Sequence, residues 1–539
     1  MKKKVTLALA ASLVACSAFA QMPEKPEMVS NEKEITLEGQ EALLKKYMST
    51  ITKEELKDHL MLFASDTFEG RETGERGQKM AADYIAQFFF ERGLTGPVKN
   101  SPNPYFQQFE LNSKSFGDYW LEANGFKANI FEDFYPYGNF EVAESDTELV
   151  FAGYGLETET YSDFKNIDVK GKGVVILEQN PKDKEGNLIG GEANLRQKIK
   201  TLSDKGAKFV VVAQESDKAF QAKLNMYKNY LQGAALSFKE AQTAPFGMLF
   251  TSPSNAAKLL GVDAGKFEKA LAKAEKKGES PAGSFSATAK VKAELLKRKV
   301  RTENVLGFIE GTDLKDEILV VTSHYDHVGV TDGVVYNGAD DDGSGSTGLL
   351  EIVDAFSQAM KDGNRPRRSI LFMTFTGEEK GLLGSEYYTD HPVFPLDKTV
   401  ADLNIDMIGR GDEAHKDNLD FVYIIGSDML SSDLHKISEA SAKKFTPELT
   451  LDYHYNRKDS PERYYYRSDH YNFAKNGIPV IFYFNGTHED YHQPTDTPDK
   501  IQYEQQALRA QLVFATAWEL ANRAERPVVD QKEEEKAEN

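Results

Sequence analysis

Cysteine is almost missing from this chain: Cys16 is the one thiol in 539 residues. One thiol cannot close an intramolecular disulfide, so stability must come from the core and from any bound metal. Basic charge is also in deficit, 65 Lys and Arg against 85 Asp and Glu, a formal net charge of −20. That balance argues against nucleic acid or an anionic membrane surface as a partner. No apolar run is long enough to make a transmembrane helix, the N-terminal stretch Val5 to Ala15 included. What remains is the composition of a folded globular protein, 40% apolar with 33 Phe and 24 Tyr. The length exceeds what one core supports and suggests about three domains.

The N-terminus reads as an export signal. Met1-Lys2-Lys3-Lys4 is the basic region, Val5 to Ala15 the apolar region, and Ala18-Phe19-Ala20 a small-x-small cleavage pattern that leaves Gln21 first. Leu13-Val14-Ala15-Cys16 resembles a bacterial lipoprotein box, in which Cys16 would be lipidated instead. Either route predicts an exported protein: periplasmic, secreted, or anchored to the envelope through Cys16.

After the signal at 1–20, residues 21–47 are Glu/Lys/Pro-rich and are expected to be a flexible leader. Residues 48–130 open the main domain. Thr52 and Glu55 form a capping box before the apolar positions Leu56, Leu60 and Phe63 of a helix over 52–64. A second helix, 78–92, carries the stripe Met80, Tyr84, Phe88 and Phe89, read as core. Residues 131–290 alternate short β-rich runs with loops and read as an inserted module without chemistry of its own. From 291 to 525 strand and helix patterns alternate, with strands at 304–309, 318–322, 369–374, 401–405, 421–425 and 479–484. Such alternation predicts an α/β fold, a mixed, mainly parallel sheet flanked by helices. Residues 526–539 are expected to be a disordered tail.

Chemistry concentrates between Ile318 and Gly345. The apolar run from Ile318 ends in His324-Tyr325-Asp326-His327, and a turn-rich loop then delivers Asp340-Asp341-Asp342. His324 and Asp326, two apart in an extended chain, share a face. A histidine with several carboxylates suits a hard or borderline divalent cation. Glu378 and Glu379 follow the 369–374 strand, Asp406 closes the 401–405 strand, and His492 follows the 479–484 strand. Ligands bind beyond the carboxyl ends of such strands, so five segments deliver His, Asp and Glu to one sheet edge.

SHYDHVG, NGADDDGSG, TGEEKGLLGSEYY, LNIDMIG and DYHQPTDTPDKI, in this order and spacing, resemble the M28 family of zinc aminopeptidases, two-zinc exopeptidases. FASDTFEGRETGERG resembles that family's N-terminal element, and LVFAGYGLETETYSDFKNIDVKGKGVVIL the protease-associated (PA) domain often inserted in it. The resemblance implies two Zn²⁺ bridged by Asp341, one also held by His324 and Asp406, the other by Glu379 and His492. It implies Glu378 as general base and then acid, and Asp326 as acceptor for the second ring nitrogen of His324. Tyr491 matches a position whose hydroxyl supports the tetrahedral intermediate, and a cis peptide is implied at Asp341–Asp342. Of the neighbours, His327 is expected to be structural, because adjacent strand residues face opposite ways. Asp340 and Asp342 are expected to shape the loop, Ser468 to cap a helix, and Met407 to pack in the core. Asp469 and His470 are expected near the site. Tyr464 to Tyr466 either line the pocket or cover a sheet edge.

The implied activity is removal of N-terminal residues from peptides. A carboxypeptidase or dipeptidase could use the same metals, because end preference lies in pocket loops. Glutaminyl cyclisation needs only one zinc, and a non-catalytic receptor would lack ligands that are all present here.

Overall fold

Four runs of β-branched, leucine and aromatic residues, apolar on both faces, can be satisfied only inside a sheet covered on both sides. In the computed structural model, which describes residues 37–192 and 194–531, these runs form the centre of the main domain. The export signal and Cys16 lie outside the described residues.

Helices α1 (Leu37–Met48), α2 (Lys53–Phe63) and α3 (Arg76–Glu91) lead into β1 (Phe106–Ala123). After the insert come β2 (Ser286–Ile309), β3 (Leu314–His324), α4 (Gly345–Lys361), β4 (Arg368–Phe375), α5 (Leu383–Asp390) and β5 (Thr399–Ile405). The chain continues through β6 (Phe421–Ile425), α6 (Ser432–Phe445), β7 (Thr450–Asp452), β8 (Val480–Phe484) and α7 (Tyr503–Asn522). The sheet order is β7-β6-β8-β5-β3-β4-β2, with β1 alongside β2. β8, β5, β3 and β4 are mutually parallel, and β2 and β6 run antiparallel to their central neighbours. One face packs Leu319, Val321, Phe372 and Leu403 against α1–α4, α6 and α7. The other packs Val320, Leu371 and Phe482 against α5, the short helix His470–Ala474 and the Tyr464–Tyr466 turn. The α/β expectation therefore holds, including the parallel centre.

The Thr52 cap is in place, its side chain accepting from the Glu55 N–H. The expected leader, however, ends earlier than residue 47. Residues 37–48 are α1, because Leu44 and Tyr47, three apart, are both buried against α4 and α7. At the other end, Asp530 accepts from the backbone and hydroxyl of Ser432, so the expected tail is held at least to that point.

The insert is a separate core built on parallel strands 173–177, 209–213 and 247–251, which are covered by their own helices. It joins the main domain through β1 and β2, which pair antiparallel from Phe106–Val305 to Ala123–Ala289. Tyr119, Leu121, Ala123 and Ala128 at one end, and Val291 and Ala293 at the other, lie in the insert's core. The structural boundary thus falls near Phe116 and Ala293, inside the ribbon. Among the described residues no helix is long and apolar enough to cross a membrane.

Candidate metal centre and active site

Each parallel strand brings one piece of the site to its carboxyl end. His324 is the last residue of β3, Glu378 and Glu379 stand in the turn after β4, Asp406 directly follows β5, and His492 lies in the loop after β8. Asp341 sits in the turn between β3 and α4, and the Asp341–Asp342 peptide is cis.

Two groups of ligating atoms share one carboxylate. His324 Nε2 lies 3.3 Å from Asp341 Oδ1, 3.5 Å from Asp406 Oδ1 and 4.0 Å from Glu378 Oε2. The other oxygen, Asp341 Oδ2, lies 2.9 Å from His492 Nε2 and 3.8 Å from His327 Nδ1. Glu379 completes the second group, 3.0 Å from His492 Nε2 and 2.9 Å from His327 Nδ1. All five residues expected to ligate metal are therefore brought together, with Asp341 between the two groups.

His327 is the correction. Its Nδ1 joins the second group and is not turned to the opposite face. The alternation rule fails there because the strand stops at His324, and residues 325–328 are no longer extended in the sheet. Asp326 also acts differently from expectation. His324 Nδ1 is 3.1 Å from the Asp326 backbone carbonyl, whereas the Asp326 carboxylate is 3.7 Å away. A carbonyl can only accept, so Nδ1 carries a proton and Nε2 is the nitrogen left facing the carboxylates, free to offer its lone pair to a cation. The Asp326 carboxylate is already engaged, accepting from the Thr73 hydroxyl at 2.6 Å and from the Glu378 N–H at 3.2 Å. It holds the backbone of the expected base. Ser468 is not a helix cap. Its hydroxyl donates to Asp406 Oδ2 at 2.6 Å, and no side chain caps the short helix behind it.

Asp340 and Asp342 hold the loop as expected. Asp342 accepts from the backbone N–H groups of His324, Gly345 and Met407. Asp340 accepts from the Gly409 N–H, the Ser344 hydroxyl and the Asn485 amide. Met407 is buried in the core, and Tyr464 and Tyr465 are buried against the sheet face. Two further supports lie inside recognisable motifs, but the sequence alone assigns them no role. Asp496 accepts the N–H groups of Asp340 and Asp341. Arg71, fully buried, donates to the carbonyls of Phe63, Tyr325, Asn337 and Gly338 at 2.7–3.0 Å. The glycine before it has φ +62°, and a Cβ there would collide with the carbonyl oxygens of Gly329 and Tyr336.

The donor set fits a divalent cation pair. His324 Nε2, Asp341 Oδ2, Glu379 Oε1, His327 Nδ1 and His492 Nε2 are buried without a hydrogen-bond partner. Their approaches of 2.9–3.8 Å lack hydrogen-bond alignment. Among the described residues no Lys or Arg pairs with Asp341, Glu379 or Asp406. Lone-pair donors converging in this way, unsatisfied by the protein, have the chemistry of a metal site. Burial raises the Glu378 carboxyl well above its ordinary pKa. The Asp406 and Glu379 carboxylates push the same way, against His324. Tyr491 stacks on the His492 ring at 4.0 Å between centroids.

Residues 304–517 match the model of Peptidase family M28. This stretch is a family M28 domain. Aminopeptidase YwaD of Bacillus subtilis (strain 168) is 28% identical over 259 residues, which are 46% of this chain and 51% of that protein. The chain thus spans about half the length of this curated relative. Two solved structures resemble the whole arrangement, insert included. One is an aminopeptidase from Aneurinibacillus sp. strain AM-1, with a TM-score of 0.55 at 19% identity, covering 91% of this chain and 98% of that one. The other is BSAP, a zinc aminopeptidase from Bacillus subtilis, with a TM-score of 0.53 at 19% identity and coverages of 88% and 96%. At that identity these two establish the fold of the M28 domain and its insert.

Proposed function

We propose that the chain is an exported metallo-aminopeptidase that removes N-terminal residues from peptides at a two-zinc site. The observation that carries this reading is the divided carboxylate. Asp341 turns one oxygen to His324 and the other to His492, with unsatisfied donors on both sides. One ion would be held by His324, Asp341 and Asp406, the other by Asp341, Glu379 and His492, with His327 beside Glu379. When bound, the zinc pair supplies Lewis-acid activation of water and of the scissile carbonyl.

The rest of the chemistry belongs to side chains. Glu378 Oε2, 4.0 Å from His324 Nε2, takes a proton from the attacking water and returns it to the leaving amine. Asp326 fixes its backbone. Tyr491 presents a phenol to the oxygen that gains charge at the scissile carbonyl. The M28 domain, and the aminopeptidases that the chain resembles, support this class of reaction. The basic and apolar N-terminus supports export, with Cys16 a candidate lipid anchor. The insert is read as a protease-associated domain.

Chelation is expected to abolish hydrolysis of aminoacyl amides, and added zinc to restore it. Glu378→Gln is expected to keep two metal ions per chain by elemental analysis while turnover falls roughly 10²- to 10⁴-fold. Near-wild-type turnover in that variant would remove Glu378 from the base role. A panel of aminoacyl, dipeptidyl and C-terminally free substrates separates aminopeptidase from dipeptidase and carboxypeptidase.

A further inference from the structure

The cations that flank the site in sequence have carboxylate partners. Lys380, next to Glu379, pairs with Glu72 at 3.0 Å, and Arg410 and Lys500 pair with Asp490 at 3.2 and 2.7 Å. Arg467 differs. Its side chain is exposed, and among the described residues no carboxylate lies within ion-pair distance of it. It reaches the Tyr491 hydroxyl at 3.4 Å and the Glu462 carbonyl at 3.5 Å, both at the long limit of a hydrogen bond.

Its position is nevertheless closely defined. The next residue, Ser468, is bonded to Asp406 of one metal group. Tyr491, which the guanidinium touches, stacks on His492 of the other. The Arg467 guanidinium therefore lies beside Tyr491 and near enough to Glu378 for their charges to interact. Its Cζ lies 4.8 Å from the centre of the Tyr464 ring. That ring is held by Phe484 and Tyr455, at 4.8 and 4.7 Å, and by a bond between its hydroxyl and Thr487. A guanidinium over a fixed ring, with only two long hydrogen bonds on its N–H groups, can exchange them for the shorter, charge-assisted pair that a carboxylate offers.

The surroundings sharpen the point. The floor of the site is acidic (Asp341, Glu378, Glu379, Asp406), and the chain carries a net charge of −20. The net charge would repel an anionic substrate, while bound metal ions would offset the carboxylates of the floor. An arginine with no carboxylate at ion-pair distance, beside such a site, supplies an attraction for such a substrate. We propose that Arg467 binds a carboxylate of the substrate and gives the enzyme a preference for acidic peptides. The carboxylate is either the side chain of the residue removed or the free C-terminus of a short peptide. This assignment rests on the peptidase reading above.

The test is kcat/KM for two matched pairs: glutamyl against glutaminyl p-nitroanilide, and Leu-Gly against Leu-Gly amide. Wild type and Arg467→Gln are compared, each with zinc content checked. The wild type is expected to favour the carboxylate member of at least one pair, and the favoured pair names the source. Arg467→Gln should lose roughly 10- to 100-fold on that member, mainly in KM. Its loss on the neutral partner should be at least about tenfold smaller. Arg467→Lys, which keeps the charge without the fork, should recover part of the loss. It also serves as the informative variant if the glutamine form fails to fold. A wild type indifferent to the carboxylate overturns the proposal. So does an equal loss on all four substrates, which would mean that Arg467 acts only through Tyr491 or Glu378. Failure of the zinc-loaded wild type to cleave any of them would overturn the peptidase reading itself, and this assignment with it.

Discussion

At the scale of single residues, the behaviour of His470 is set by burial. It is fully enclosed, with its ring stacked on Phe482 at 4.7 Å. Desolvation, partly offset by the Tyr465 backbone, pushes its pKa down to about 3 from an ordinary 6.5. The folded chain keeps this ring neutral where the unfolded chain protonates it. The stability it contributes is therefore complete above pH 6.5 and is lost as pH falls toward 3, by at most about 1.4 kcal/mol per pH unit. His470→Phe keeps the stacking and removes the titration. Urea unfolding of the chelated protein should show the variant losing less stability than wild type between pH 6.5 and 4.5. Parallel pH profiles for the two would show that the ring is not buried neutral. The residues of this site divide by how local their evidence is. His324, Asp341, Glu378, Glu379, Asp406 and His492 announce themselves because each ends a strand or stands in the turn after it, in a recognisable motif. His327, Asp496 and Arg71 lie in such motifs too, but nothing local assigns them a role. Their roles depend on where the chain bends after β3 and on which distant backbone groups come within reach.

At the scale of elements, Arg71 ties together three pieces that share no sheet pairing: the end of α2 at Phe63, the chain just past β3 at Tyr325, and the loop at Asn337 and Gly338. Arg71→Met removes the side-chain donor from four carbonyls, of which Gly338 keeps the Gly343 N–H while Phe63 and Tyr325 lose a buried partner, and is expected to cost about 3 kcal/mol in unfolding free energy. It should also weaken zinc affinity, since the loop it holds leads directly to Asp341. Unchanged stability in denaturant titrations would contradict this. The parallel strands are easy to read because they are apolar on both faces and short. The ribbon of β1 and β2 is hard to read. Between Ala289 and Ala293 its inward positions are small or β-branched, and Lys290, Lys292 and Glu294 alternate with them, so only its last six residues look like a buried strand. Helix α1 hides for a similar reason: Leu44 and Tyr47 are its fully buried apolar pair in an otherwise Glu- and Lys-rich stretch.

At the scale of the whole molecule, the insert touches the catalytic neighbourhood. Its strand 235–237 pairs with β1, and Leu236 and Phe238 pack near Leu383 and Tyr387, just beyond Glu379. Replacing 117–294 with an Asn-Gly turn between Phe116 and Leu295, which are register partners, should leave a folded, zinc-binding domain. Such a protein is expected to cleave aminoacyl amides and to attack protein substrates faster relative to peptides than the full chain does. An unchanged ratio would rule out a role for the insert in limiting access. The ribbon has another consequence, in the order of assembly. β1 and β2 are partners separated by more than 160 residues of chain, and the four central parallel strands of the main sheet all follow β2. On a chain synthesised from its N-terminus, the insert is complete, with both ribbon strands paired, before β3 exists. Helices α1 and α2 must wait through that interval, with Leu56 and Phe63 lacking the later part of their core. These helices thus depend for their shelter on parts of the chain made later, and they are where a folding chaperone would be needed.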